Sequence, residues 1–330
     1  MKRREFMALV GGAALWPLPA RAQQERTVRR IGVLMPFLPD DSEVKGELAG
    51  FVEQLRSLGW TAGDNLEIDY RWSGGDSQRL QAYAKELVDL KPDVIFTRST
   101  PATAALVKNT RSIPIVFAVV SDPVGEGFVA SLARPSGNVT GFTNAEDSLT
   151  GKWLELLKQV APAMNRVGFI FDPRVAPRGG AYYTNLIKTA AVSFGVTPVA
   201  MPVAEASDIE RAIDDFSGRP GGGLLVLPDA TTNVHRAQII ALAARFRLPA
   251  IYAFHNLADE GGLMSYGVDV VDLFRHAANY VDRILKGTKP ADLPVQLPEK
   301  FELVINLKTA TALGLIISNQ MQLLANRVIE

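Results

Sequence analysis

Short apolar runs without polar alternation recur along the chain, and the stretches between them place apolar residues at helical spacing. "RIGVLMP" (30–36) is one such run, as expected of a strand buried on both faces. Val44, Leu48, Phe51, Val52, Leu55 and Leu58 then mark one face of a helix, closed by Gly59. "NLEIDYRW" (65–72) alternates like a strand nearer a sheet edge, and Leu80, Tyr83, Leu87 and Val88 give the next helix. "DVIFT" (93–97), a helix from Pro101 and "PIVFAVV" (114–120) continue the pattern. A second series starts near residue 148. Leu149, Trp153, Leu156, Leu157 and Val160 predict a helix and "RVGFIFD" (166–172) a buried strand. A helix around 180–194, strand "TPVAMPV" (197–203), helix 207–216, strand "GLLVLPD" (223–229), helix 233–246 and strand "AIYAF" (250–254) follow. Strands alternating with helices predict βαβ units and parallel sheets. Two such series predict two α/β domains.

The join between the series is "ARPSGNVTGFTNAED" (133–147), rich in Pro, Gly, Ser and Asn. A second crossing is expected at "GGLMSYGVD" (261–269), because the helix after it (Phe274, Ala278, Val281, Ile284, Leu285) needs a sheet to cover. A third is expected within "KPADLPVQLPEKFELVINL" (289–307). The expected division is residues 27–142 with about 267–298 in lobe 1, and 143–266 with about 299–330 in lobe 2 and the hinge return. Three linking segments suit a hinge that closes on something between the lobes.

The N-terminus is a different kind of text. "MKRREFMALVGGAALWPLPARAQQ" has a basic start, an apolar middle too short for a permanent anchor, and a small-x-small site at Ala20-Arg21-Ala22. Residues 1–22 are therefore expected to be a cleaved signal peptide. Arg3-Arg4 resembles a twin-arginine motif, with the general secretory route as the alternative. Removing the segment takes four basic residues and one acidic residue from a chain of zero net charge, leaving −3. The expected product is exported, periplasmic and not membrane-embedded.

Composition narrows the chemistry. The absence of Cys excludes disulfides, thiolate metal sites and a cysteine nucleophile. Three His, far apart in sequence, give no metal-binding spacing, and no basic stripe marks a nucleic-acid partner. GxSxG, GxxxxGK[ST] and a strand-linked GxGxxG are all missing, so no catalytic residue, metal or cofactor is expected.

In open parallel sheets ligands bind beyond the carboxyl ends of the strands. The segments there are Met35-Pro36-Phe37, Arg98-Ser99-Thr100-Pro101 leading to Ala102, and Ser121-Asp122-Pro123. In the second series they are Asp172-Pro173-Arg174, Asp229-Ala230-Thr231 and Tyr252-Ala253-Phe254-His255. Tyr182 and Tyr183 divide into one core residue and one exposed residue. Ser99 or Thr100 before Pro101 reads by default as a helix cap, with a seat for a ligand carboxylate at the helix start as the functional alternative. Asp122-Pro123 reads as a turn or a site, and Asp172 and Asp229 as caps or site residues.

"PIVFAVVSDPVGEGFVASLARPSGNVTGFT" (114–143), "STPATAAL" (99–106), "GGLMSYGVD" (261–269) and "FELVINLKTATALGL" (301–315) closely resemble ABC-transporter substrate-binding proteins of the tryptophan/tyrosine-binding type. The resemblance implies two doubly wound parallel-sheet lobes joined by a three-segment hinge, the type I periplasmic-binding-protein fold. It implies a monomer that clamps a small carboxylate-bearing ligand, an aromatic amino acid or a related compound, and delivers it to an ABC permease and its ATPase. Ser99, Thr100, Pro101 and Ala102 would then seat the carboxylate, and Asp122 is the candidate partner of the amino group. Phe37, Pro123, Asp172, Tyr182, Asp229, Tyr252 and His255 would complete the enclosure. A ligand-sensing partner of a receptor is the alternative function, and an enzyme on a similar fold a more distant one.

Overall fold

The computed structural model describes residues 28–330 apart from residue 147. The expected signal peptide lies outside the described residues. The first series comprises β1 (Arg29–Met35), α1 (Ser42–Ser57), β2 (Leu66–Trp72), α2 (Ser77–Asp89), β3 (Val94–Arg98), α3 (Thr100–Asn109), β4 (Ile115–Val120) and β5 (Val139–Thr143). The second comprises α4 (Ser148–Val160), β6 (Arg166–Phe171), α5 (Ala181–Phe194), β7 (Thr197–Pro202), α6 (Ala206–Ser217), β8 (Gly222–Val226), α7 (Ala230–Val234), α8 (Arg236–Arg245), β9 (Ala250–Tyr252), α9 (His255–Asp259) and β10 (Met264–Val268). The chain ends with α10 (Val270–Leu285), β11 (Phe301–Asn306), α11 (Leu307–Leu313), α12 (Asn319–Leu324) and β12 (Arg327–Ile329).

Five parallel strands form one sheet in the order β2-β1-β3-β4-β5. The other sheet runs β12-β11-β10-β9-β8-β6-β7, and β7-β6-β8-β9-β10 repeats the order of the first. Period-two alternation buries both faces of the first sheet. On β3, Val94 and Phe96 join the core beneath α1, whereas Ile95 joins Leu87 of α2 and Leu106 of α3 on the other face. Phe96 stacks on Phe51 of α1 at 4.3 Å and meets Phe274 of α10 edge-on at 4.9 Å. The helix expected to need a sheet thus returns from the second sheet to cover the first.

The chain passes between the sheets three times, after β5, after β10 and between Gln296 and β11. The third passage first pairs with β5, through Gln296 N–H to Gly141 O (3.0 Å) and Thr143 N–H to Gln296 O (2.9 Å). The second and third passages are bonded to each other, Lys300 Nζ lying 2.7 Å from the Asp269 carboxylate.

Several elements depart from expectation. Val139–Thr143, read as part of a linker, is the edge strand β5, because pairing with β4 overrides the weak strand propensity of "NVTG". The helix expected at 233–246 is two helices, because Asp229 starts α7 early with a capping box closed by Thr232. β11 runs antiparallel to β10, and β12 extends that edge.

Candidate ligand-binding site

The strand order reverses direction between β1 and β3 in one sheet and between β6 and β8 in the other. Ligand crevices open at such points. Here the two crevices face each other and form one cavity. One lobe supplies Phe37 after β1, Arg98 to Pro101 at the end of β3, and Val119 and Ser121 at the end of β4. The other supplies Val175 and Pro177 after β6, Pro228 to Ala230 after β8, and Phe254 after β9. Most of the wall is apolar, with a few polar groups at fixed places, as small-molecule sites are built.

Two wall residues hold backbone geometry that L-residues rarely adopt. Ser99 has φ 84°, ψ 155°, and Val119 has φ 60° where the β4–β5 register shifts. Ser99 N–H donates to Ala118 O (3.0 Å), so the two strained positions neighbour each other on adjacent strands. Strain of this kind costs about 1–3 kcal/mol per residue and collects at functional sites. The expected cap does not form: Ser99 occupies the N-cap position of α3, but its side chain makes no cap hydrogen bond. Ser99 Oγ is buried without a hydrogen-bond partner among the described residues. The Thr100 and Ala102 amides have no acceptor within the helix, as first-turn amides lack one, and Pro101 has no N–H. The start of α3 therefore presents a hydroxyl and two amides at the positive end of a helix dipole.

Arg98, immediately before Ser99, is 1% exposed. Its guanidinium lies 4.5 Å from the Phe37 ring centroid and 5.5 Å from that of Phe254, one ring from each lobe. Nη2 pairs with the equally buried Glu47 of α1 at 3.1 Å. The pair holds a cation between the two aromatic walls.

The three carboxylates expected at the cleft have separate situations. Asp122 is 2.7 Å from Arg178 Nε of the opposite lobe and accepts the Gly125 N–H (2.9 Å). Asp172 is fully buried; it takes the guanidinium and backbone N–H of Arg174 and the Thr231 hydroxyl (2.6 Å). Burial pushes its carboxyl up, but the Arg174 and Thr231 hydrogen bonds outweigh this and hold it below the ordinary range. Asp229 caps α7 through Thr232 N–H (2.7 Å) and accepts the Asp172 N–H (2.9 Å). It has no ion-pair partner among the described residues, and burial raises its pKa to about 7.

A second cluster closes the lobes beside this cavity. A 3₁₀ turn at Pro177–Gly180 carries three consecutive left-handed residues, Arg178, Gly179 and Gly180. It points Arg178 at Asp122 and donates Arg178 N–H to Glu126 Oε1 (2.6 Å). Nearby, Tyr183 OH donates to Ser121 Oγ (2.9 Å), which donates to Asn144 Oδ1 (2.9 Å). On the other rim Arg236 reaches Asp41 at 3.5 Å.

Of the residues expected from sequence, Phe37, Ser99, Thr100, Pro101 and Asp229 line the cavity. Ala102 is buried in the α3 packing and presents its amide only. Asp122, Pro123 and Tyr182 border an adjoining pocket next to the crossings, with Tyr183 as the core member of the tyrosine pair. Asp172 lies beneath the wall and shapes its turn. Tyr252 was expected at the cleft but packs in the core against Gly262, and burial raises its phenol pKa. His255 was expected there too; it starts α9, 3.6 Å from Asp259, outside the cavity wall. Phe254, its neighbour, is the wall residue. Arg98 and Ser121 stood in the strand-end segments read from sequence without a role, and Val119 and Arg178 were not singled out. A charge closing an otherwise apolar strand was the available signal for Arg98; Val119 and Arg178 gave none.

Two α/β lobes with their strand ends facing across a shared cavity define a clamp-type binding protein. The chain matches the model of the ABC transporter substrate binding protein family over residues 31–329, and it belongs to that family. Proteins of this family bind solutes for ABC transporters and are not enzymes. A tyrosine-binding protein of Clostridioides difficile is 29% identical over 268 residues, covering 81% of this chain and 76% of that protein. The structure of an ABC domain from Streptococcus pneumonia in complex with L-Trp superposes with TM-score 0.85 at 26% identity, covering 91% of this chain and 99% of that one. The ligand-free, open structure of a substrate binding protein with adhesive properties from Clostridium difficile gives 0.69 at 25% identity, covering 92% and 99%.

Proposed function

We propose that this protein is the periplasmic solute-binding component of an ABC importer, closing its lobes on an aromatic amino acid or a related small carboxylate. The docked ligand passes to a permease driven by its ATPase. The observation that carries the reading is the start of α3: a strained Ser99 with an unpartnered buried hydroxyl, aimed into a cavity whose two lobes each contribute an aromatic ring. An anion at Ser99 Oγ and the Thr100 and Ala102 amides is favoured by the helix dipole. Phe37, Phe254 and the prolines suit an apolar, flat remainder. The tyrosine-binding and L-Trp-bound relatives support this ligand class. Contacts from both lobes make the ligand stabilise the closed state, so transport needs no bond to be made or broken.

A thermal-shift panel of amino acids, aromatic acids and small carboxylates tests the reading. A ligand at a hundred times its Kd raises stability by about 2.7 kcal/mol. L-tryptophan or L-tyrosine is expected to raise Tm, and to be recovered unchanged. The reading fails if no carboxylate-bearing compound stabilises the protein.

A further inference from the structure

We infer that the hinge carries a second binding site, for a small aliphatic ammonium or diammonium ion, and that filling it favours the closed lobes. The coupling to closure rests on the proposed clamp; the site itself does not.

A cavity of about 280 Å³ lies at the hinge and shares no wall residue with the cavity between the lobes. Small-molecule pockets span about 300–1,000 Å³, so its guest is small. All three passages between the sheets reach its wall: Phe142 at the end of β5, Asp269 at the start of α10, and the stretch from Gln296 to Lys300. The floor is aromatic. The Phe142 and Tyr280 rings are buried, with centroids 4.7 Å apart. Tyr280 OH donates to Pro294 O (2.7 Å) and accepts from Gln296 Nε2 (3.0 Å), which ties the ring to the third passage. Such rings hold an ammonium through their quadrupoles and an alkyl chain through their apolar area. The rim sets the sign of the guest. Lys300 pairs with Asp269. Asp272 meets His276 Nδ1 at 3.8 Å, a cation only when protonated, and Glu299 has no ion pair among the described residues. One lysine thus stands against three carboxylates on this wall, so a cation is attracted and an anion repelled. Asp272 and Glu299 also belong to different elements. Asp272 is in the first turn of α10, which covers the first sheet, and Glu299 is on the passage that enters β11 of the second. A cation between them fastens the two as Lys300 fastens Asp269. It does so in the arrangement in which the lobes touch, and a guest stabilises the arrangement that binds it better. By linkage, the ligand of the cleft and the cation at the hinge then strengthen each other by the same factor.

The test uses the mature protein, with 1,4-diaminobutane as the probe, butylamine as its singly charged analogue and 1,4-butanediol as the neutral one. Calorimetry on wild type is expected to show one diamine bound per chain, weaker binding of butylamine and none of the diol. Asp272→Asn and Glu299→Gln are each expected to weaken diamine binding by about two- to fivefold. Asp214→Asn, exposed on α6, is expected to leave it unchanged. Should either hinge variant fail to fold, the wild-type comparison of diamine with diol decides. Small-angle scattering is expected to give a smaller radius of gyration with diamine than without it. L-tryptophan is expected to bind about fivefold tighter or more in its presence. Absence of diamine binding overturns the site. Equal binding of the diol does so too, as does binding that Asp214→Asn weakens as much as the two hinge variants. Diamine binding with an unchanged radius and an unchanged affinity for the cleft ligand overturns the coupling. If no carboxylate-bearing compound binds the cleft while the diamine still binds at the hinge and lowers the radius, the proposed function falls and this inference stands.

Discussion

Ser99 sits at a backbone position that glycine adopts at less cost, and it keeps a hydroxyl there that caps nothing. Ser99→Gly is expected to raise unfolding stability by about 1 kcal/mol or more through relief of strain. Ser99→Ala removes the hydroxyl without that relief. Both are expected to weaken carboxylate binding, and urea unfolding with calorimetry separates the two effects. A stability loss of about 1 kcal/mol with unchanged affinity would instead make Ser99 a plain cap. At Glu47, truncation to Ala strands the Arg98 charge and is expected to cost about 3–5 kcal/mol in the same assay. Asp229 gives a pH signature. Its pKa rises from 3.8 to about 7 on folding, so the folded state holds the extra proton between those values. Its contribution to stability therefore falls as pH rises from about 4 to 7 and is constant above. The difference in Tm between wild type and Asp229→Asn, followed across pH, is expected to trace that fall. Much of this residue-level site was legible, since Ser99, Thr100 and Asp229 follow strands and line the cavity. Tyr252 and His255 follow a strand too, yet point elsewhere, because position along a strand does not fix which way the next turn aims a side chain.

The elements were legible wherever one apolar pattern decided them. β1, β3 and β4 are apolar runs buried on both faces, and α10 announced its need for a distant sheet. β5 was hidden inside a Gly- and Asn-containing stretch because its stability comes from β4 rather than from its own residues. The Pro177–Gly180 turn was hidden for another reason: left-handed geometry at Arg178 is imposed by tertiary contacts, not by residue type. Gly180 makes that turn possible, since a Cβ there would lie 2.1 Å from Phe171 Cε2 at φ 88°. Gly180→Ala is expected to destabilise the protein by about 1–3 kcal/mol and to displace Arg178. Thermal melts measure the first, and weaker ligand binding reports the second.

At the scale of the molecule, two lobes with three crossings were readable from two βα series and an unpartnered helix. The closed contacts were not, because Asp122, Arg178 and Glu126 meet only through folding. Arg178→Ala removes a half-exposed ion pair that exists only when the lobes meet. Such a pair is worth about 0.5–1 kcal/mol, so ligand affinity is expected to fall about two- to fivefold with little change in unfolding stability. Small-angle scattering of the unliganded variant is expected to show a larger radius of gyration than wild type, and saturating ligand is expected to restore compaction. An unchanged radius would show that Arg178 does not hold the lobes.

The bonding of Asp269 to Lys300 bears on what an outside observer of the protein sees. One tether would let two bodies swivel freely, whereas three tethers, two of them fastened together, leave little beyond a single swing about one axis. A movement so restricted has a fixed end point. The outer silhouette of the shut form then carries the same message whichever molecule shut it: occupied. Under the proposed import role, selectivity has to be exercised in the interior, at the few atoms that decide whether shutting is favourable, and a permease reading the silhouette would need no knowledge of the cargo.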